Sequence, residues 1–190
     1  MEKKRLGLAL CGSYCTYDKL FAAAEDLAAR YELIPIMSET AAETDTRFGA
    51  ASDHIRRLMH LTGKTVVSTI AEAEPLGPAL PMDAMLIAPC TGNTLGKLAH
   101  GITDSAVLMA AKAHLRNGRP LVIALSTNDG LSGSAENIAR LLNRKNVWFV
   151  PFGQDDPEKK PNSLQADFSL LAETVEAALQ GRQLQPLLRR

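Results

Sequence analysis

The apolar residues of this chain fall in short unbroken blocks. The blocks "LGLAL" (6–10), "AMLIAP" (84–89) and "PLVIALS" (120–126) show no alternation with polar residues. A strand that is apolar on both faces must be covered on both, which occurs in parallel sheets with helices packed on either side. The intervening segments supply those helices. Leu20, Phe21, Ala24, Leu27, Ala28 and Tyr31 recur at helical spacing, and so do the apolar residues of "SDHIRRLMHLTG", which Gly63 closes. A third helix is expected over "DSAVLMAAKAHLRNG", with Asp104 or Ser105 as N-cap and Gly118 just past its end, and a fourth over "SAENIARLLNRK".

"LIPIMS" and "NVWFVPF" read as further strands and "TVV" (65–67) as a brief one, with Pro75, Gly77, Pro78 and Pro81 marking a loop before the central strand. Residues 151–165 read as a polar, proline-containing loop ahead of a final helix over Phe168–Leu179. The expected fold class is therefore α/β: a doubly wound parallel sheet, flavodoxin-like, in a three-layer sandwich. Residues 1–190 are expected to form one domain, since the length suits a single core and no repeat or linker interrupts it.

Composition narrows the choice of partners. Twenty-one basic residues balance 21 acidic ones, so no net field draws the chain to nucleic acid or an anionic membrane. The apolar stretch after "MEKKR" is too short for a signal peptide, and no segment approaches the roughly 20 apolar residues of a membrane span, so a cytoplasmic protein is expected. Cys11, Cys15 and Cys90 make no disulfide framework, and His54, His60, His100 and His114 show no metal-binding spacing, so no metal site is expected. The spacing of Cys11 and Cys15 is not that of a thioredoxin-like pair, which favours packed small residues.

Small polar residues gather at the strand ends. Gly12, Ser13 and Thr16 follow the first strand; Ser38 and Thr40 the second; Thr91, Asn93 and Thr94 the central one; Ser126, Thr127 and Asn128 the next. In open parallel sheets ligands bind beyond the carboxyl ends of the strands, where helix N-termini face a common crevice. Small residues let backbone amides approach a ligand and hydroxyls donate to phosphate oxygens, a combination suited to a phosphorylated planar cofactor. Each loop alone is equally explained by helix capping, because the same residue types satisfy orphan amides with no ligand present. Neither a G-x-G-x-x-G nor a G-x-x-x-x-G-K-[ST] pattern occurs, which disfavours a dinucleotide or a nucleoside triphosphate in its usual cradle.

The segments "LGLALCGSYCTYDKL", "IPIMSETA", "LIAPCTGNTLGKLAHGITDS" and "ALSTN" resemble the motifs of the flavoprotein superfamily that includes FMN-dependent cysteine decarboxylases and flavin prenyltransferases. The resemblance implies that Gly12, Ser13, Ser38, Thr91, Asn93, Thr94 and Asn128 line a flavin mononucleotide site, with Ser13, Ser38 and Thr91 near the phosphate. "GITDSAVLMAAKAHLRNGRP", "STNDGL" and "VPFGQDDPEKKPNS" are similar to one branch of that superfamily, which belongs to a two-subunit synthase of spore-forming bacteria. That branch implies a nicotinamide-binding A subunit as partner, oxidation of a cyclic dihydro-dicarboxylate in the mother cell and NAD(P) held by the partner; the superfamily implies a homo-oligomer, trimeric or dodecameric, and leaves open a free-standing FMN-dependent decarboxylase or prenyltransferase, or a non-catalytic module that binds an anion or flavin.

The chain departs from the superfamily pattern in two places. Pro75 stands where the decarboxylases carry a histidine, about eight residues ahead of the acidic residue before the central strand, here Asp83. His54 and His60, on an earlier helix, read as surface or satisfied side chains rather than substitutes. Cys90 and Gly92 replace small alanines: Gly92 either lets a ligand approach or relieves the turn, and Cys90 is either a favoured thiolate or a packed thiol. The charges Asp155, Asp156, Lys159 and Lys160 belong either to a solvated turn or to a surface that meets a dicarboxylate or a partner protein. Leu108, Met109 and Leu131 are open to either core or interface.

Overall fold

The computed structural model describes residues 3–77 and 79–189. Strand β1 (Arg5–Leu10) leads through a short turn into α1 (Tyr17–Arg30), whose buried stripe is Tyr17, Leu20, Phe21, Ala24 and Leu27. Strand β2 (Glu32–Met37), the short helix α2 (Glu39–Glu43) and α3 (Ala51–Thr62) follow, and Gly63 ends α3 in the left-handed region at φ 66°. Helix α4 (Ile70–Ala73) precedes the central strand β3 (Ala84–Cys90), which is buried along its whole length. Then come α5 (Gly92–Ala99), α6 (Ala106–Arg116), β4 (Leu121–Thr127), α7 (Ala135–Leu142), β5 (Val147–Phe149), β6 (Phe152–Gly153), β7 (Leu164–Ala166) and α8 (Leu171–Leu179).

The parallel strands lie in the order β2-β1-β3-β4-β5. From β1 the chain moves to β2 on one side, and from β3 it moves to β4 on the other. With right-handed crossovers this reversal places α1 and α6 on opposite faces of the sheet. Helix α8 joins α1, and the Arg30–Glu176 pair at 2.6 Å ties the two together. Burial on both faces is why β1, β3 and β4 are almost wholly apolar: Leu8, Leu86, Ile87, Val122 and Ile123 are all fully buried. Among the described residues no helix is long and apolar enough to cross a membrane.

Three sequence expectations need correction. "TVV" forms no strand; only Val67 pairs, against Pro35 and Met37 on the outer edge of β2. Pro35, which has no N–H to give, is tolerated there because β2 is an edge strand. "NVWFVPF" is two strands: β5 runs parallel to β4, and after Pro151 the chain reappears as β6, antiparallel to β7. Residues 151–165 are consequently not all loop. Strand β4 outruns β5, leaving Ser126 and Thr127 with an uncovered edge, and Gln165 and Leu164 pair with them antiparallel. Leu164 and Ala166 turn inward while Gln165 is partly exposed, an alternation too short to recognise as a period.

The C-terminal segment straps this edge. The Gln183 side chain accepts from the Phe149 N–H at 2.9 Å and donates to its carbonyl at 2.6 Å, and Phe152 exchanges backbone bonds with Leu187 and Arg189. Leu108 belongs to the core at 1% exposure, whereas Leu131 stands 52% exposed.

Candidate functional site

The strand order reverses between β1 and β3, so the loops that leave them diverge and open a crevice at their carboxyl ends. A cleft of about 410 Å³ lies there, lined by Gly12, Ser38, Glu39, Thr40, Thr91, Asn93, Thr94, Lys97, Asp104, Ser105 and Leu108. Five of the residues expected from the sequence (Gly12, Ser38, Thr91, Asn93 and Thr94) therefore face one space. Ser13 and Asn128 are not in its lining. The Ser13 hydroxyl lies 2.7 Å from that of Ser126, joining the ends of β1 and β4, and Asn128 is exposed in the turn after β4.

Most of the hydroxyls cap helices and still have bonding capacity. Ser38 accepts from the Ala41 N–H at 3.3 Å and Ser105 from the Leu108 N–H at 3.3 Å, which leaves each O–H free to donate into the cleft. Thr91 accepts from the Thr94 N–H and passes its own proton to the Thr94 hydroxyl at 3.2 Å. Thr94 in turn donates to the Cys11 thiol at 3.3 Å. Burial pushes the Cys11 thiol up to about 11 and raises Cys90 as well, so both are packed neutral thiols and Cys90 is no favoured thiolate. All three cysteines are free.

Charged residues that sequence reasoning misses complete the cleft. Both carboxylate oxygens of Glu39 accept from the Ala106 N–H, at 3.1 and 3.3 Å, so this side chain holds the N-terminus of α6. Lys97 donates to Asp104 at 2.7 Å and, among the described residues, is the only cation in the lining. Nothing local marks either arrangement, since Glu39 reaches a helix start 67 residues further along the chain.

Gly92 faces neither ligand nor open turn. An added Cβ would lie 2.6 Å from the Thr127 hydroxyl, 2.8 Å from that of Ser134 and 2.9 Å from the Asp129 carboxylate. Asp129 accepts from Thr127 and, at 2.8 Å, from Ser134, and these hydrogen bonds hold its carboxyl below the usual range. Gly92 is thus required by the packing of α5 on the turn after β4.

The loop before β7 is internally satisfied. Asp155 pairs with Lys160 at 3.3 Å, Asp156 accepts from the backbone N–H of Lys159 and Lys160, and Asn162 receives the Leu131 N–H. None of these side chains lines the cleft.

The histidines also lie outside the cleft lining. His54 is neither surface nor satisfied, which corrects the expectation: it is 3% exposed, packed edge-on to Tyr17 with ring centroids 4.7 Å apart, and neither ring nitrogen has a partner among the described residues. Burial, assisted by the charge of Arg57, lowers its pKa. His54→Leu should accordingly stabilise the protein by about 1–2 kcal/mol, because an unpaired buried polar group is removed. The unfolded histidine, near pH 6.5, takes its proton before the folded one, so the wild type loses stability as pH falls below about 6.5. His114, also buried with a lowered pKa, has the same sign in both proteins. Chemical denaturation at pH 7.5 and 5.5 checks this: the two proteins should diverge further at the lower pH, and parallel losses would refute it.

The switch-point cleft, the buried parallel strands and the helices on both faces define a class, and residues 1–167 match the model of the flavoprotein family. The chain belongs to that family. It is 49% identical over 189 residues to the B subunit of dipicolinate synthase from Bacillus subtilis (strain 168), an alignment covering 99% of this chain and 94% of that one. The crystal structure of the corresponding dipicolinate synthase component from Bacillus halodurans C superposes with a TM-score of 0.91 at 46% identity, over 100% of this chain and 97% of the other. A dodecameric FMN-dependent decarboxylase from Escherichia coli O157:H7 gives a TM-score of 0.61 at 26% identity, covering 77% of this chain and 79% of that one.

Proposed function

We propose that this chain acts as the B subunit of a dipicolinate synthase, holds flavin mononucleotide in the β1/β3 cleft, and works with a nicotinamide-binding A subunit to oxidise dihydrodipicolinate to dipicolinate. The observation that carries this reading is near full-length similarity to that component of dipicolinate synthase, combined with a polar cleft at the strand-order switch. The cytoplasm of a sporulating mother cell is the setting that this role implies, and a homo-oligomer, as in the dodecameric decarboxylase, is the assembly we assign.

The donors present suit the cofactor. The free O–H of Ser38 beside side-chain-free Gly12 suits a phosphate, while Glu39 already occupies the N-terminus of α6 and directs an anion away from it. Thr91, the N-cap of α5, stands with Ser38 on the phosphate side, and Asn93 and Thr94 offer amide and hydroxyl groups to the edge of a flat ring. Ser13 supports this arrangement through Ser126, and Asn128, in the turn after β4, is assigned to the flavin on the motif resemblance alone. A bound flavin supplies a hydride acceptor, which no side chain here provides. Lys97 then meets a substrate carboxylate, exchanging its contact with Asp104, and the freed Asp104 or Glu39 accepts the proton that leaves as the ring becomes aromatic.

A decarboxylase reading is weaker. Pro75 sits in the short turn Glu74–Leu76 packed against α6, and among the described residues no histidine lines the cleft to take the role it would need. Oxidation of dihydrodipicolinate should be assayed with the chain alone, with the A subunit alone, and with the pair with and without FMN. Activity confined to the flavin-loaded pair supports the reading; full activity of the A subunit alone refutes it.

A further inference from the structure

Leu108 forms a wall of the cleft and also a wall of a second concavity, of about 360 Å³, on its other side. Its apolar part is built by Leu98 and Leu108, 4% and 1% exposed, with Ile102 held up at 47% exposure. The turn after α5 positions Ile102: Gly101 adopts φ 73°, and the Ile102 N–H donates to the Lys97 carbonyl at 2.9 Å. Lys112, Arg116 and Arg144 also line this pocket, and among the described residues no carboxylate does. Lys112 and Arg116 are one helical turn apart on α6 and so project from the same face. Arg144 arrives from beyond α7, its guanidinium fixed by donation to the Leu98 carbonyl at 3.2 Å.

None of the three cations has an acidic partner within 4 Å among the described residues, whereas Arg5, Arg30 and Arg140 all do. In a chain of zero net charge, three cations without a paired carboxylate gather around one pocket, and the acidic residue that the surrounding surface supplies, Glu74, lines the adjoining concavity with Lys112 and Arg116. Charge-assisted bonds at the rim select anionic groups, and the exposed Ile102 side chain selects an apolar body.

The geometry points to a second binding site, separate from the cleft, for a small ring compound bearing two or more carboxylates. This assignment does not depend on flavin occupying the cleft. Arg116 and Arg144 supply planar donor forks, each suited to a carboxylate, and Lys112 adds a mobile positive charge between turns of the same wall. An inorganic anion would leave the exposed Ile102 side chain in water, and an uncharged ring would leave the cations unanswered.

The test uses calorimetric titration of the full chain in which Asn93→Trp blocks the cleft, with pyridine-2,6-dicarboxylate as the probe. Saturable binding is expected to persist in that chain. Adding Arg116→Gln or Arg144→Gln, both at exposed positions, should weaken it at least tenfold, and unsubstituted pyridine should not bind. Absence of binding in the Asn93→Trp chain overturns the proposal, since any dicarboxylate affinity then belongs to the cleft. Binding that survives both arginine substitutions overturns it too, and equal affinity for inorganic phosphate shows an unselective anion patch instead.

Discussion

Asn93→Trp is expected to weaken FMN binding by at least about 100-fold, equivalent to about 2.7 kcal/mol, while leaving the fold intact. Asn93 is exposed in the first turn of α5 and lines the cleft, so an indole there takes up the space that a flat ligand needs. It packs against no core residue that must move, and the change in folding stability should stay within about 0.5 kcal/mol. Asn93→Ala provides the comparison. It removes a hydrogen-bonding amide without filling the space and should cost only about 1 kcal/mol of affinity. Titration of flavin fluorescence against each protein, with thermal unfolding alongside, separates a blocked site from a damaged fold. Equal affinity in wild type and Asn93→Trp would remove the cleft from consideration.

Leu86→Ala should destabilise the protein by roughly 2–5 kcal/mol, because it opens a cavity where the structure can least collapse. Leu86 is fully buried at the middle of β3, paired with Leu8 of β1 on one side and Val122 of β4 on the other. For a chain of this size the loss corresponds to a fall in Tm of roughly 5–15 °C. Leu131→Ala, at a side chain left 52% exposed, should change stability by less than about 0.5 kcal/mol. Calorimetry on the two variants checks the contrast, and similar losses in both would mean that Leu131 is buried in an assembly.

Leu86 and Asn93 also show what the sequence makes legible. Leu86 lies in an unbroken apolar block too short for a helix and bounded by proline-containing segments, which reads as a strand covered on both faces, so a parallel sheet with helices on either side follows from the pattern. Asn93 is identifiable because the region beyond the carboxyl ends of such strands is where helix N-termini converge. Glu39 and Lys97 are not, because their roles depend on contacts with α6 and the turn before it that no local pattern encodes. His54 misleads for a different reason: it shares the inward face of α3 with Ala51 and Leu58, but an imidazole suggests an exposed or hydrogen-bonded side chain, and the packing of Tyr14, Tyr17 and Gly49 around the ring is not encoded locally. Strand β7 is illegible because three residues are too few for a period, and its place is set by pairing with the end of β4 and with β6.

Gly92 carries a similar lesson at a motif position. A glycine at the start of α5 invites a reading as a place of ligand approach, yet its missing Cβ accommodates Thr127, Asp129 and Ser134 from the neighbouring turn. Motif membership thus locates the right crevice, while the contacts within it assign the individual parts.

The most direct test of the central claim is a visible-absorbance titration of the purified chain with FMN. Saturation at one flavin per chain, with a perturbed flavin spectrum that Asn93→Trp abolishes, is the predicted result. No saturable binding at any flavin concentration, either by the chain alone or with the A subunit present, would contradict it.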